Sequence, residues 1–261
     1  MIFTWWKENR RDLPWRRTHE PYTILVSEIM LQQTQVSRVL PKYEEFLILF
    51  PDIFALARAS TAEVLKAWKG MGYNRRALYL KKTAEAVVKT YGGKFPENEK
   101  DLMNLPGLGK YTARALLVFA YKKDISMIDT NIRQIIVQYF FHGEPQKEKE
   151  VEAVAEQLVP KGKSWDWHQA LMDYGALELV REKQAKPADK SHRHIPFKDT
   201  KRFIRGKVLD RLRVSPVTES ELVEYLTDTY QKKASWIQSI LRDLERDGLV
   251  ESHHKLMQLP E

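Results

Sequence analysis

The stretch DLMNLPGLGKYTARALLVFAYKKDISMIDTN, residues 101–131, sets two helical patterns on either side of a tight turn, Leu105-Pro106-Gly107-Leu108-Gly109. Leu102, Leu105 and Leu108 are apolar anchors before and within the turn. Ala113, Leu116, Leu117 and Ala120 repeat at helical spacing after it. Two glycines two apart allow the backbone to take positive φ. They also leave successive N–H groups uncovered where the second helix starts, and there free donors and the helix dipole favour an anion such as a phosphate. A bare Pro-Gly-x-Gly turn fits a plain helical hairpin equally well. What sets this one apart is the company it keeps, LPGLGKYTA followed by Asp129 just beyond the second helical pattern.

Composition narrows the classes. The chain of 261 residues has room for one large domain and a small one, with a formal charge of +8 and 43% hydrophobic residues. Residues 1–196 hold 31 Lys/Arg against 24 Asp/Glu, and residues 197–261 hold 12 against 11, so the basic excess lies in the first part. Such an excess fits a polyanionic partner. There is no cysteine, which excludes disulfides, thiolate catalysis and iron–sulfur ligation. No apolar run reaches membrane-spanning length, and MIFTWWKENRRDLPW is too charged for a signal peptide. The expectation is an intracellular protein that is not secreted.

Along the chain, residues 1–20 read as a short helix and a turn with Trp5, Trp6 and Trp15 as core anchors. Pro21 can start the next helix, PYTILVSEIMLQQTQVSRVL, where Ile24, Glu28 and Leu31 share one face. A carboxylate among apolar residues is either a partnered buried acid or one whose raised pKa suits proton transfer. Two amphipathic segments follow, with a capping box at Ser60-Thr-Ala-Glu63. Between their helices stands Gly70-Met-Gly-Tyr-Asn-Arg-Arg76. An aromatic on a glycine loop beside two arginines can wedge into a duplex, or can simply pack on its own helix.

Several of these motifs together resemble the helix-hairpin-helix DNA glycosylases, and among them the MutY-type adenine glycosylases. The resemblance spans roughly residues 5–180 and rests on LPW, SEIMLQQTQV, GMGY, GGKFP, LPGLGKYTA, DTN and MDYGA. It implies an all-α fold of two helical lobes with the active-site cleft between them, and double-stranded DNA with a mismatched or damaged base as partner. It implies Glu28 as the general acid, Asp129 as the charge that stabilises the cationic sugar, and Asn131 as a residue that helps position the site. Leu31, Gln32 and Gln33 would fill the gap left by a flipped base. Tyr73 would intercalate, with Arg75 and Arg76 on phosphates, although the family's second tyrosine is Asn74 here. Leu105, Gly107, Gly109, Lys110 and Thr112 would form the hairpin's phosphate grip. Bifunctional relatives place a lysine nucleophile at position 111; a phenol cannot form a Schiff base, so Tyr111 implies a monofunctional enzyme. Lys110 points about 100° away on the same helix.

MDYGA resembles the point where most relatives begin a four-cysteine cluster loop. This chain has Leu179, Lys186, Asp189 and Ile195 at that spacing, so no cluster is expected. His192 and His194 stand in a cysteine-free linker, about 181–198, with six Lys/Arg against two acids; they read as solvated residues rather than ligands. The expectation is no metal and no cofactor, with a weakly bound alkali ion at the hairpin carbonyls left open. The domain boundaries expected are 1–196 for the glycosylase and 197–261 for a small winged-helix-like domain of three helices and a terminal strand pair, capped at Thr218 or Ser220, with Ser235–Arg246 in the recognition-helix place. That tail would bind DNA or a protein partner and modulate affinity without supplying chemistry. The chain reads as a monomer. Adenine opposite guanine or 8-oxoguanine is the expected substrate. Asp129-Thr130-Asn131 departs from the usual DGN, and the oxidised-guanine domain is replaced. The alternatives are a thymine/uracil glycosylase of G·T and G·U mismatches and a non-catalytic DNA-binding module.

Overall fold

The computed structural model describes residues 1–179 and 196–261. Helices dominate, as the 3.6-residue periodicities predict. The described chain divides into two compact units that are discontinuous in sequence. One holds Met1–Ile29 and the chain from Phe95 to Leu179; the other holds Met30–Lys94 and the chain from Pro196 to Glu261.

In the first unit, α1 (Ile2–Asn9) and a 3₁₀ turn at Pro14–Arg16 lead into α2 (Pro21–Leu31). The core is built around the helix after the hairpin turn, Lys110–Phe119, whose Ala113, Ala115, Leu116 and Val118 are fully enclosed. Leu102, Leu105 and Leu108 are buried as the apolar spacing predicts, and so are Met127, Ile132 and Ile136. Trp6 and Trp15 are core residues; Trp5 is only partly enclosed, edge-on to Tyr174. The N-terminus is tied to the far end of the unit by one carboxylate. Asp173 accepts from Trp6 Nε1 at 2.8 Å, from Arg16 Nη1 at 2.7 Å and Nη2 at 2.8 Å, and from the backbone and side chain of Arg11.

In the second unit, α3 (Val36–Leu49), α4 (Ile53–Arg58), α5 (Thr61–Ala67) and α6 (Arg75–Tyr91) enclose Val39, Phe46, Leu56, Leu65, Trp68, Leu80 and Val87. The capping box at Ser60 and Glu63 is formed as read from sequence. Helix α6 ends on a left-handed Gly92, followed by Gly93 at φ 89°, a backbone conformation that suits glycine. From residue 201 the chain forms three helices, Lys201–Leu212, Glu219–Tyr230 and Ala234–Arg246, around Ile204, Val208, Leu222, Leu226, Ile237, Ile240 and Leu244. Thr218 is the cap of the middle helix, with Glu221 completing a capping box. The strand pair is extended by a third strand. Val217–Thr218 joins Leu256–Gln258, which also pairs with Glu251–His253, giving an antiparallel sheet with Leu256–Gln258 at the centre.

Candidate active site

In the first unit, Glu28 lies on α2; after α7 (Glu99–Met103) and the hairpin turn, Tyr111 lies on α8 (Lys110–Phe119) and Asp129 at the start of α9 (Thr130–Phe140), which α10 (Glu148–Leu158) follows. Glu28 is 5% exposed, with Ile24, Leu25 and Ile29 of the same helix enclosed around it. The Tyr111 phenol donates to its carboxylate. Burial pushes Glu28 up to about 7, partly offset by that hydrogen bond and reinforced by the negative charge of Asp129. Burial likewise drives the Tyr111 hydroxyl well above its ordinary range, so it stays a neutral donor.

Asp129 is treated differently by its surroundings. It caps α9, accepting from the Ile132 N–H at 2.7 Å and from Asn131 Nδ2 at 3.2 Å. On balance burial raises its pKa, and these donors and the nearby Arg11 guanidinium offset only part of the rise. A carboxylate at a helix N-terminus is held ionised by free N–H groups and the helix dipole, whereas Glu28 has only a phenol. Asp129's charge adds to the rise at Glu28 while its own capping donors favour ionisation, an arrangement suited to one neutral acid beside one anion.

The packing that fixes Asn131 was not legible from sequence. Helix α11 (Ser164–Tyr174) runs into a π-type turn at Gly175–Leu179. A Cβ on Gly175 would stand 2.6 Å from Asn131 Cβ and 3.3 Å from its Cα, so the glycine of MDYGA lets α9 start where it does. Asp173, two residues earlier, holds Arg11, which in turn favours the charge on Asp129.

Around the hairpin, Gly107 takes φ 79° and Gly109 is the N-cap of α8, with no side chain capping the first turn. A Cβ at Gly109 would meet open space. The side chains of Leu105 and Thr112 are buried, so only their main chain can face a ligand. Lys110 is half exposed and holds both Glu152 oxygens, at 2.7 and 2.8 Å.

In the second unit, two of the loops expected at DNA are joined. Helix α2 ends at Leu31, so Gln32 and Gln33 sit in the turn that follows, with Gln33 at φ 52°. Arg76 corrects the sequence reading. It is 9% exposed and donates to Met30 O at 2.9 Å, Gln32 O, Thr34 Oγ1 at 3.1 Å, Met71 O at 3.1 Å and Gly72 O at 3.1 Å. A guanidinium so enclosed is a brace between the Gln32 turn and the Gly72 loop and does not reach a phosphate. Tyr73 is exposed at φ 44°, and Arg75 is exposed with its guanidinium near the Tyr79 ring.

The chain has no thiolate to hold an iron–sulfur cluster, so that group does not fit here. Of the four positions at cluster spacing, Leu179 is a buried core residue. Lys186, Asp189, Ile195, His192 and His194 lie outside the described residues. Among the described residues, no three His, Asp or Glu side chains form a group able to hold a metal ion.

Residues 26–161 match the HhH-GPD superfamily of base excision DNA repair proteins. The chain belongs to that superfamily. It is similar to the adenine DNA glycosylase of Mycolicibacterium smegmatis, 38% identical over 96% of this chain and 91% of the relative. It is also similar to the thymine/uracil-DNA glycosylase of Methanothermobacter thermautotrophicus, 37% identical over 67% of this chain and 81% of the relative. Among solved structures, a thermostable thymine-DNA glycosylase superposes with a TM-score of 0.64, covering 67% of this chain and 83% of that one at 37% identity. The actinobacterial relative thus matches through the C-terminal segment, and the archaeal one covers about two thirds of the chain.

Proposed function

We propose that the chain is a monofunctional DNA glycosylase of base excision repair that hydrolytically removes adenine mispaired with guanine or 8-oxoguanine. The observation that carries this is the divided carboxylate pair, a buried Glu28 with its pKa near 7 and Asp129 at the cap of α9. A base inside a stack is out of reach of a buried acid, so the nucleotide is flipped out first, with Leu31, Gln32, Gln33 and Tyr73 entering the gap. Neutral Glu28 gives its proton to N7 of the adenine as the N-glycosidic bond breaks, and the base leaves neutral. Asp129, fixed by the Ile132 N–H and Asn131, stabilises the oxocarbenium sugar; water adds to C1′, its proton passing to the Glu28 carboxylate, to leave an abasic site. Tyr111 offers no amine for a Schiff base. Lys110, the next residue, is engaged with Glu152.

Double-stranded DNA is the partner, and the protein acts on it as a monomer in the cytoplasm or nucleoid. No helix among the described residues is long and apolar enough to cross a membrane. The hairpin turn offers the uncapped N–H groups of α8 to a phosphate, and the C-terminal segment modulates binding. The archaeal relative keeps a second reading in view, excision of thymine or uracil opposite guanine. Thymine has no N7, so a neutral Glu28 would help its departure less.

One panel decides. Duplexes with A, T or U opposite G or 8-oxoguanine are incubated with excess protein, and the product is cleaved with alkali. Release of adenine is expected, with no covalent product trapped by borohydride. Release of T or U from G pairs with adenine untouched would replace the adenine reading with the second one.

A further inference from the structure

The loop Gly70–Arg76 and the C-terminal segment belong to the same compact unit, and three consecutive loop residues are each engaged by that segment. Arg202, in the first turn of Lys201–Leu212, lays its guanidinium 3.8 Å from the centroid of the Tyr73 ring. Its Nη1 also donates to the Tyr73 hydroxyl at 2.6 Å. Arg213, at the end of the same helix, donates to Asn74 Oδ1 at 3.2 Å and to Leu65 O at 3.0 Å, and is itself oriented by Asp210 at 2.7 Å. Asp247 lies 3.8 Å from Arg75.

This loop needs outside support. Gly70, Gly72 and Tyr73 all have positive φ, at 88°, 67° and 44°. Left-handed backbone costs glycine little, but for a bulky tyrosine it is strained and persists only where the surroundings impose it. A guanidinium against the ring and a hydrogen bond to the hydroxyl together restrain both side-chain torsions. A ring ordered in advance loses less entropy when it meets DNA. The segment that supplies this restraint is close to neutral, with 12 Lys/Arg against 11 Asp/Glu in residues 197–261, so it is poorly suited to strong DNA affinity of its own.

We propose that Arg202 is a positioning residue for DNA contact: it holds Tyr73 in the conformation that enters the duplex, which makes the C-terminal segment part of the DNA-gripping surface. The inference rests on the proposed contact between Tyr73 and DNA, which Tyr73→Ala tests by itself.

The experiment uses the full-length chain in a Glu28→Gln background, so that an A·G duplex survives titration. Kd is measured by fluorescence anisotropy over a range of salt for Tyr73→Ala, Arg202→Ala, Arg202→Lys and the Tyr73→Ala/Arg202→Ala pair. Each single change to alanine is expected to weaken binding by roughly threefold to tenfold, the scale of an exposed cation–π contact with a hydrogen bond. The double variant should be no weaker than Tyr73→Ala alone, because Arg202 acts through the ring. Arg202→Lys keeps the charge but not the planar fork, so it should behave as Arg202→Ala, with the salt slope unchanged. Wild-type affinity in Arg202→Ala, or additive effects in the double variant, would overturn the proposal. So would full rescue by lysine together with a salt slope reduced by about one in Arg202→Ala, the mark of a plain phosphate contact. If Tyr73→Ala itself binds like wild type, the proposed role of Tyr73 falls and the inference falls with it; if only Arg202→Ala is silent, the inference alone falls.

Discussion

Glu28 is where the proposed chemistry and a cost to folding meet in a single residue. Its carboxyl is raised from 4.5 to about 7 by burial, so the folded state favours the protonated form. Stability from that preference is fully present below the unfolded pKa and is lost as pH rises through about 7. At pH 8 the wild type must keep an ionised carboxylate buried, whereas Glu28→Gln is neutral throughout. Thermal unfolding should therefore show Glu28→Gln gaining on wild type by about 3 kcal/mol between pH 4 and pH 8. Its turnover should fall by about 10²–10⁴ with DNA binding intact. The wild-type single-turnover rate should itself decline as pH rises past 7, and a rate that climbs through that range would remove Glu28 as the acid. Gly175 gives a second test at this scale. Its backbone is ordinary helical, φ −62°, so alanine there brings no backbone strain, only a Cβ 2.6 Å from Asn131. Gly175→Ala should push Asn131 off Asp129 and lower the single-turnover rate by roughly 10–100-fold, as small misplacements do, while Kd for DNA stays put. An unchanged rate would mean that the start of α9 yields freely.

Between elements, the buried Asp173 does what sequence spacing could not announce. Its partners Trp6, Arg11 and Arg16 stand 157 to 167 residues away, beyond any periodicity. Burial alone would raise its pKa, but the Arg16 and Arg11 guanidiniums hold it below the usual carboxylate range. Asp173→Asn leaves the Arg16 side chain, 3% exposed, without its counter-charge and should cost about 3 kcal/mol in urea unfolding at pH 7. Because the folded pKa is depressed, this stability is present above the unfolded value and is lost as pH falls through the folded one. Variant and wild type should then converge in acid; a gap that persists there would assign the loss to packing. What was legible is local: the hairpin glycines, the Thr218 cap and the apolar face of α8 all follow from spacing and turn chemistry. Arg76 was misread because a sequence cannot say which way a guanidinium turns, and here it turns inward onto four backbone carbonyls and a threonine hydroxyl. Val217–Thr218 was missed because two residues carry no period.

Across the whole molecule, the compact units cut across the order of the chain. Glu28, Tyr111, Asp129 and Asn131 fall in one unit, while Tyr73, Arg202 and everything after residue 196 fall in the other. A linear reading divides the chain near residue 196 because composition shifts there; it cannot see that residues 30–94 are grouped with the tail. The proposed catalytic residues thus share a unit with the hairpin turn, whereas the proposed Tyr73 contact shares one with the tail. Removing the chain from residue 197 onward takes Arg202 from Tyr73 and Arg213 from Leu65 and Asn74, and leaves Glu28, Tyr111, Asp129 and Asn131 in the chain. The shortened chain should therefore bind mispaired DNA more weakly than Arg202→Ala does. At saturating DNA its single-turnover rate should stay within roughly tenfold of wild type, about 1.4 kcal/mol in the barrier. Circular dichroism and resistance to trypsin establish whether that shortened chain is folded. A loss beyond a hundredfold at saturation, in a folded protein, would mean that the tail takes part in the chemistry after all.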